Sequence, residues 1–391
     1  MMKLRRFLWT VSLLLVCAVS HARQDSIRFS LLTCSPGPEI YALFGHTAIR
    51  YQNFTQGADW VFNYGVFSFD TPNFVLRFVR GETDYQLGVL PFDAFEAEYA
   101  WRGSSVRQQT LNLTAAEKLR LFALLEENYR PANRVYRYNY FYDNCTTRAR
   151  DQIERCIDGR VVYPDSLSGM TFRRIVHEFT AGSPWDEWGM DVCLGAEADR
   201  PIGPRSQQFS PFYMMRYASL AVIEAEDGSR RPLVTDEAWA VEVEDGPDAS
   251  PFPLTPLTAS CLLLALSLLA GGWQLRTRRV WWGWEASLMA LQGLAGCVIA
   301  FLFFFSVHPT VGSNWMLFLF NPVPLCYAPV LVWRLKKRKK DLYPLLNVLY
   351  LTLFIVIVLF RVQEFNLSVL PLASALLVTS ASHVLVLKRN K

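Results

Sequence analysis

The sequence predicts an exported α+β domain followed by an all-α bundle of about five transmembrane helices. Three observations carry this prediction. A basic start (Lys3, Arg5, Arg6) precedes the short apolar run FLWTVSLLLVCAVS, and Ser20 and Ala22 stand at the −3 and −1 positions of a cut after Ala22. That is the layout of a secretory signal peptide. Short strand-like runs then give way to helical spacing, and five apolar stretches fill the chain beyond residue 253.

In the exported part, SIRFSLLTC, HTAIRYQ, DWVFNYGVF and DYQLGVLP are aromatic and β-branched, with turn residues such as NFTQGAD between them. They read as antiparallel strands. LTAAEKLRLFALLEENYR follows, with Thr114 and Glu117 at the spacing of a capping box ahead of an amphipathic helix. YRYNYFYDN is irregular, and CTTRARDQIERCI resumes helical spacing. Strands, helix, loop, helix is an α+β order rather than that of a doubly wound sheet. Residues 171–250 carry no clear period, and no internal repeat is visible. VTDEAWAVEVEDGPDASPFPLTP reads as a solvated acidic linker ending in prolines. The expected divisions are 1–22 signal peptide, 23–222 exported domain, 223–253 linker and 254–391 membrane domain.

The apolar stretches lie near 254–273, 284–306, 313–333, 342–360 and 367–387, each about long enough to cross a bilayer. One connecting loop carries Arg276, Arg278 and Arg279, another carries Arg334 and residues 336–340, and the tail carries Lys388, Arg389 and Lys391. The alternate loops, 307–312 and 361–366, hold only Arg361 and Glu364. Basic loops stay cytoplasmic, which puts residues 23–253 outside, in agreement with the signal peptide. The signal segment carries +3 and the chain beyond residue 253 has 13 basic and 3 acidic side chains, so a net charge of +4 overall leaves the exported domain at about −9. Such a domain is no nucleic-acid binder, and charge alone would not hold it on anionic lipid. In SVHPTVGSNWMLFLFNPVP, His308, Asn314 and Asn321 stand at or inside the outer bilayer boundary, and Pro322 and Pro324 break the helix. Polar groups there are costly and tend to be functional, so these three are candidates for positioning substrate. The alternative is a helix-capping loop with Trp315 at the interface.

A thiol becomes a good nucleophile as its thiolate, and a helix N-terminus and a neighbouring imidazolium both favour that form. Cys145 follows Asn144, a good cap residue, and opens a helical run, so backbone N–H groups point toward its sulfur. The exported domain holds two histidines. His46, in GHTAIRY, follows a glycine that allows close backbone approach, and a strand-borne histidine can be the base and acid of acyl transfer. His177, in RRIVHEF, reads as a surface or core position. The plainer readings stay open: a cysteine at a helix start is commonly packing or half a disulfide. Cys34, Cys156 and Cys193 share the oxidising compartment, where pairing is expected. Cys145 and Cys156 lie about 16 Å apart by helical rise, too far to bridge. No close Cys/His ligand spacing exists, so neither a metal nor another cofactor is expected. Asn63, polar amid WVFNYGVF, is a candidate to orient the imidazole, against a turn or cross-strand hydrogen bond, and Asp143 beside the cap is the other candidate. Asn144 and the N–H groups of Cys145 and Thr146 are candidate oxyanion donors. Arg148, one turn on, is a candidate for steadying a phosphate or the thiolate, against the commoner case of an exposed helix arginine.

GHTAIRY on a strand with NC much later at a helix start resembles the circularly permuted papain-like families, which include lecithin:retinol acyltransferase-type enzymes. FGHTAIR and YNYFYDNCTTRARD, followed by a basic-looped membrane bundle containing HPTVGSNWMLFLFNP, are similar to the Bacteroidetes lipoprotein N-acyltransferases called Lnb, over almost the whole mature chain. The resemblance implies a permuted papain-like domain in the periplasm, a multi-pass anchor in the bacterial inner membrane and a cytoplasmic C-terminus. It implies Cys145 as nucleophile with His46 as partner, a phospholipid as acyl donor and the amino-terminal cysteine of a diacylated lipoprotein as acceptor. The competing expectations are a papain-like envelope hydrolase, acting on a peptide or a lipid ester, and a non-enzymatic envelope scaffold in which Cys145 is structural. One span suffices as a tether, so five spans weigh against a peptidase.

Overall fold

A computed structural model describes residues 26–165, 169–243 and 252–389, so the signal-peptide expectation for 1–22 lies outside the described residues. These residues fall into two compact units. The first draws on the described residues within Met1–Phe74, Glu82–Met170 and Ile202–Asp248, the second on those within Val75–Gly81, Thr171–Pro201 and Ala249–Lys391.

The first unit is built on a seven-stranded sheet. Its strands are β1 (Ile27–Cys34), β2 (His46–Asn53), β3 (Ala58–Val66), β4 (Asp84–Pro91), β5 (Val106–Leu111), β6 (Val135–Arg137) and, after β7 (Arg160–Val162), β8 (Val222–Glu224) and β9 (Arg230–Pro232), β10 (Val234–Val241). The order is β10-β5-β1-β2-β3-β4-β6, and every pairing is antiparallel. β7, β8 and β9 make a separate small sheet. The helices are numbered along the chain from α1 (Phe74–Arg80), and those of this unit are α2 (Phe92–Trp101), α3 (Ala115–Tyr129), α4 (Cys145–Cys156), α7 (Pro204–Gln207) and α8 (Pro211–Leu220).

The sheet is covered on both faces, so β1 is buried without alternation from Phe29 to Cys34, Ser30 and Thr33 included. Phe29, Leu31, Ile49, Phe62 and Leu87 face one core, with Leu121 and Leu125 of α3 and Ala149 and Ile153 of α4. Leu32, Ala48 and Val61 face another, with Phe92, Phe95 and Tyr99 of α2. The capping box before α3 forms as its spacing predicts. Its Glu117 is fully buried and also accepts from Asp158 N–H at 2.9 Å and from Arg231 of β9 at 2.6 Å. Burial would raise its pKa, but these donors bring the carboxyl below its usual value.

Two divisions expected from the sequence need correction. Residues 223–253 are not all linker: β9 and β10 lie within them, and β10 is the edge strand beside β5. Its Glu237 accepts from Gln109 at 3.0 Å and from Arg107 at 3.3 Å. Charged residues are ordinary on edge strands, so this strand has the composition of a solvated tether. Residues 171–201, expected in the exported domain, belong to the second unit.

In the second unit, α5 (Phe172–Thr180) and α6 (Pro184–Cys193) join α9 (Pro256–Thr277), α10 (Trp282–Phe305), α11 (Met316–Leu319), α12 (Val323–Lys336), α13 (Tyr343–Leu359) and α14 (Val369–Arg389). Four runs are long and apolar enough to cross a membrane, namely Pro256–Thr277, Trp282–Phe305, Met316–Lys336 and Val369–Arg389, and Tyr343–Leu359 is shorter. The third run is not one helix. α11 ends at Leu319 and α12 begins at Val323, with Pro322 between them. At the end of the bundle bearing residues 307–314 and 363–366, Arg173 is fully buried. It donates to Asp191 at 2.8 Å, to Asp199 at 2.5 Å and to the carbonyl of Leu194 at 3.0 Å.

Removing the cation from such a tie strands a buried carboxylate, so Arg173→Met is expected to destabilise the protein by about 3–5 kcal/mol. Thermal unfolding in detergent at neutral pH measures this, and an unchanged transition would contradict it.

Candidate active site

The strand that begins at His46 is placed by its neighbour. β1 and β2 pair up to Cys34 opposite His46, and Gly45 just before it has φ +74°. A Cβ there would lie 2.3 Å from the carbonyl oxygen of Cys34, so the glycine of GHTAIRY is sterically required. His46 Nε2 and Asn63 Oδ1, on adjacent strands β2 and β3, are 2.5 Å apart. Oδ1 is an acceptor, so Nε2 carries the proton and Nδ1 is the nitrogen left for the thiol.

Cys145 is the first residue of α4. Asn144 Oδ1 accepts from the N–H groups of Thr146 and Thr147, both at 2.9 Å, and Thr147 Oγ1 accepts from Asn144 N–H at 2.8 Å. Asn144 Nδ2 donates to the carbonyls of Tyr140 (2.8 Å) and Phe209 (2.9 Å). Thr146 Oγ1 lies 3.1 Å from Thr47 Oγ1 and 3.7 Å from Cys145 Sγ, which joins the helix start to the strand bearing His46.

The electrostatics follow from this geometry. Burial raises the Cys145 thiol, but the His46 charge and hydrogen bond, the Thr47 N–H and the Thr146 hydroxyl outweigh it, and the thiol is lowered to about 7. Burial depresses His46, yet the thiolate beside it and the bonds to Cys145 and Asn63 raise it. Both shifts favour the thiolate–imidazolium form, and the two groups titrate as a pair. Cys156, buried without such a partner, is pushed up to about 12, and burial raises Cys34 further.

The structure therefore brings Cys145, His46 and Asn63 together. Asp143 instead takes two bonds from Arg148, at 2.6 and 2.8 Å. Arg148 also lies 3.6 Å over the Tyr136 ring, so its cation is engaged within the fold. Of the oxyanion donors considered above, the Asn144 Nδ2 group is spent on the Tyr140 and Phe209 carbonyls and the Thr146 N–H on the cap, and the Cys145 N–H remains at the helix end. His308, Asn314 and Asn321 lie in the second unit. His308 Nε2 contacts the Phe78 carbonyl at 2.6 Å. Asn314 donates to the carbonyls of Val192 (2.7 Å) and Cys193 (3.1 Å), and Asn321 donates to Tyr350 Oη at 2.7 Å. Cys34, Cys156 and Cys193 are free thiols, contrary to the pairing expected of them. Cys34 and Cys156 are buried in different cores, on opposite faces of the sheet.

Among the described residues, His177, Glu187 and Asp191 bring three metal-ligating atoms within 4.8 Å of one another. The Asp191 carboxylate already receives Arg173 and His177 Nε2, each at 2.8 Å. Asp191 raises the His177 pKa.

A thiol lowered to about 7 is about half thiolate at neutral pH, far more than an ordinary cysteine. Alkylation of Cys145 by iodoacetamide should rise through a midpoint near that value. In His46→Ala the midpoint should move alkaline, because burial then acts unopposed by the imidazolium. Peptide-level mass spectrometry of the alkylated chain reads this site by site, and an unmoved midpoint would contradict the pairing.

No curated protein and no solved structure matches the chain. Two family models do: the Lnb N-terminal periplasmic domain over residues 20–178 and the Lnb transmembrane domain over residues 248–391. The first contains His46, Asn63 and Cys145, the second the apolar helices. Matched in this order over more than three quarters of its length, the chain belongs to the Lnb family and is a membrane protein with a periplasmic N-terminal domain.

Proposed function

We propose that this protein is a lipoprotein N-acyltransferase that works through a thioester on Cys145. The observation that carries the reading is the thiol lowered to about 7 at a capped helix start, against a histidine whose other nitrogen is held by Asn63. Cys145 Sγ attacks the ester carbonyl of a phospholipid. The C–O bond breaks, His46 gives its proton to the departing alcohol, and a lysophospholipid leaves. His46 is then neutral and can take a proton from the α-amine of a diacylated lipoprotein as that amine attacks the thioester. The C–S bond breaks, the amide forms and the thiolate–imidazolium pair returns. Asn63 keeps the ring in one tautomer through both halves.

The chemistry of the acceptor favours transfer. A neutral amine is a far better nucleophile toward a thioester than water when the site excludes solvent. Both proposed substrates are anchored in the bilayer, which accounts for a thiol domain and a membrane bundle in one chain. In this reading the C-terminus is cytoplasmic, since the basic loops lie on its side.

Cys145→Ala and His46→Ala should each lower N-acylation by about three orders of magnitude or more without loss of membrane insertion. Mass spectrometry of lipoprotein amino-terminal peptides from complemented cells measures this. Wild-type triacylation in the Cys145 variant would exclude the nucleophile.

With phospholipid alone, the enzyme should hold a hydroxylamine-sensitive acyl label and release fatty acid slowly. A diacylated lipopeptide with a free α-amine should discharge the label into an amide, and the N-acetylated lipopeptide should not. Rapid fatty-acid release that ignores the lipopeptide would make the protein a lipase.

A further inference from the structure

Tyr136 carries a hydroxyl that the fold leaves unanswered. It lies on β6 opposite Tyr85 of β4, is 6% exposed, and its Oη is buried with no hydrogen-bond partner among the described residues. Leaving a buried hydroxyl unpaired costs about 1–3 kcal/mol, so its retention calls for a reason. The ring is firmly held. The Arg148 guanidinium lies over one face at 3.6 Å, Tyr64 packs edge-on at 6.4 Å, and Arg148 is itself fixed by Asp143.

The position of the hydroxyl is given by Gly65. A Cβ built on that glycine would stand 3.6 Å from Cys145 Cβ, 3.9 Å from His46 Cε1 and 4.0 Å from Tyr136 Oη. Gly65 has φ +87°, a conformation that disfavours any side chain at this point. Nucleophile, base and unpartnered hydroxyl therefore border one small space. Tyr140 Oη is also unpartnered, but its ring packs against Phe44, Phe141 and Phe209.

We infer that Tyr136 is a catalytic residue whose hydroxyl donates to the oxyanion formed when Cys145 attacks an ester carbonyl, beside the backbone N–H of Cys145. The inference rests on the acyl-transfer reading above. As the S–C bond forms, the carbonyl π pair moves onto oxygen, and Tyr136 donates to it while keeping its proton. On collapse the pair returns to the carbonyl, the C–O bond to the leaving alcohol breaks, and His46 supplies the proton to that alcohol. Burial and the neighbouring Cys145 thiolate hold the Tyr136 phenol well above its usual pKa, so it remains a donor at neutral pH. Arg148 and Asp143 then act through Tyr136 as positioning residues.

The test uses the full-length protein in detergent, with Tyr136→Phe, which keeps the ring and removes only the hydroxyl. Acylation of Cys145 is read as the burst of p-nitrophenol from a p-nitrophenyl acyl ester, counted as the part that Cys145→Ala abolishes. Alkylation of Cys145 by iodoacetamide is read in parallel, because that displacement builds no oxyanion. The expected result is an acylation rate lower by about a hundredfold with the alkylation rate and its pH profile unchanged. Equal bursts in wild type and Tyr136→Phe would overturn the assignment and leave the thioester reading standing. Parallel losses in acylation and alkylation would also overturn it, as they mark a structural role. A wild-type protein without a Cys145-dependent burst would overturn the thioester reading and this inference with it.

Discussion

The side-chain amide of Asn144 holds four backbone groups at once: the N–H groups of Thr146 and Thr147 and the carbonyls of Tyr140 and Phe209. A helix cap of this kind contributes about 1 kcal/mol, but its larger effect here is geometric. The two accepted bonds fix where α4 begins, and the two donated bonds fix that start against the aromatic loop before it and the segment before α8. With the start fixed, Thr146 reaches Thr47, and Cys145 meets the strand that carries His46. A shift of the helix by one residue would turn the thiol through roughly 100° about the helix axis and away from the imidazole. The pairing of Cys145 with His46 is thus a consequence of the cap.

Burial alone makes a poor nucleophile of a thiol. Cys34 and Cys156 show this within the same unit, since both are buried and both are raised. Cys145 differs through what surrounds it: an imidazolium, a backbone N–H and a hydroxyl, all presented by β2 and the first turn of α4. The guanidinium of Arg148, one turn along the same helix, is matched by Asp143 and covered by the Tyr136 ring. The local field on the thiol is therefore set mainly by His46, which makes the thiolate depend on one titrating partner rather than on a fixed cation.

The parts of this fold that the sequence made legible are those whose local chemistry is one-sided. The strands around His46 and Asn63 are aromatic and β-branched, the capping box before α3 is a fixed spacing, and Asn-Cys before a helical run is a helix start. Gly-His became meaningful because the glycine sits against the Cys34 carbonyl. What stayed hidden depends on partners distant in the chain. β10 carries acidic residues because it is an edge, so it read as a linker. α5 and α6 are short, and their packing rests on Arg173, whose partners lie 18 to 26 residues on. Tyr136 sits among several tyrosines in YRYNYFYDN, and only the position of its hydroxyl relative to Gly65 distinguishes it.

The polar residues at bilayer depth show why sequence overstates their freedom. A broken helix exposes carbonyls and N–H groups that water cannot reach, and each must find a partner inside the protein. Where α11 ends, Gln292 donates to the Leu319 carbonyl at 2.8 Å, and Asn321 accepts from Val323 N–H at 3.2 Å. Asn314 accepts from Met316 N–H at 2.9 Å, and Gln363 accepts from Trp315 N–H at 3.0 Å. These side chains complete interrupted backbone, so their presence in an apolar stretch follows from the break itself. Glu285 and His383 are different. They meet at 2.8 Å between α10 and α14 and are almost fully buried, Glu285 in the first turn of α10 and His383 within α14, with no break in either helix beside them. Backbone repair does not account for them. An ionisable pair in that position joins two helices through a contact that tolerates no loss of either partner.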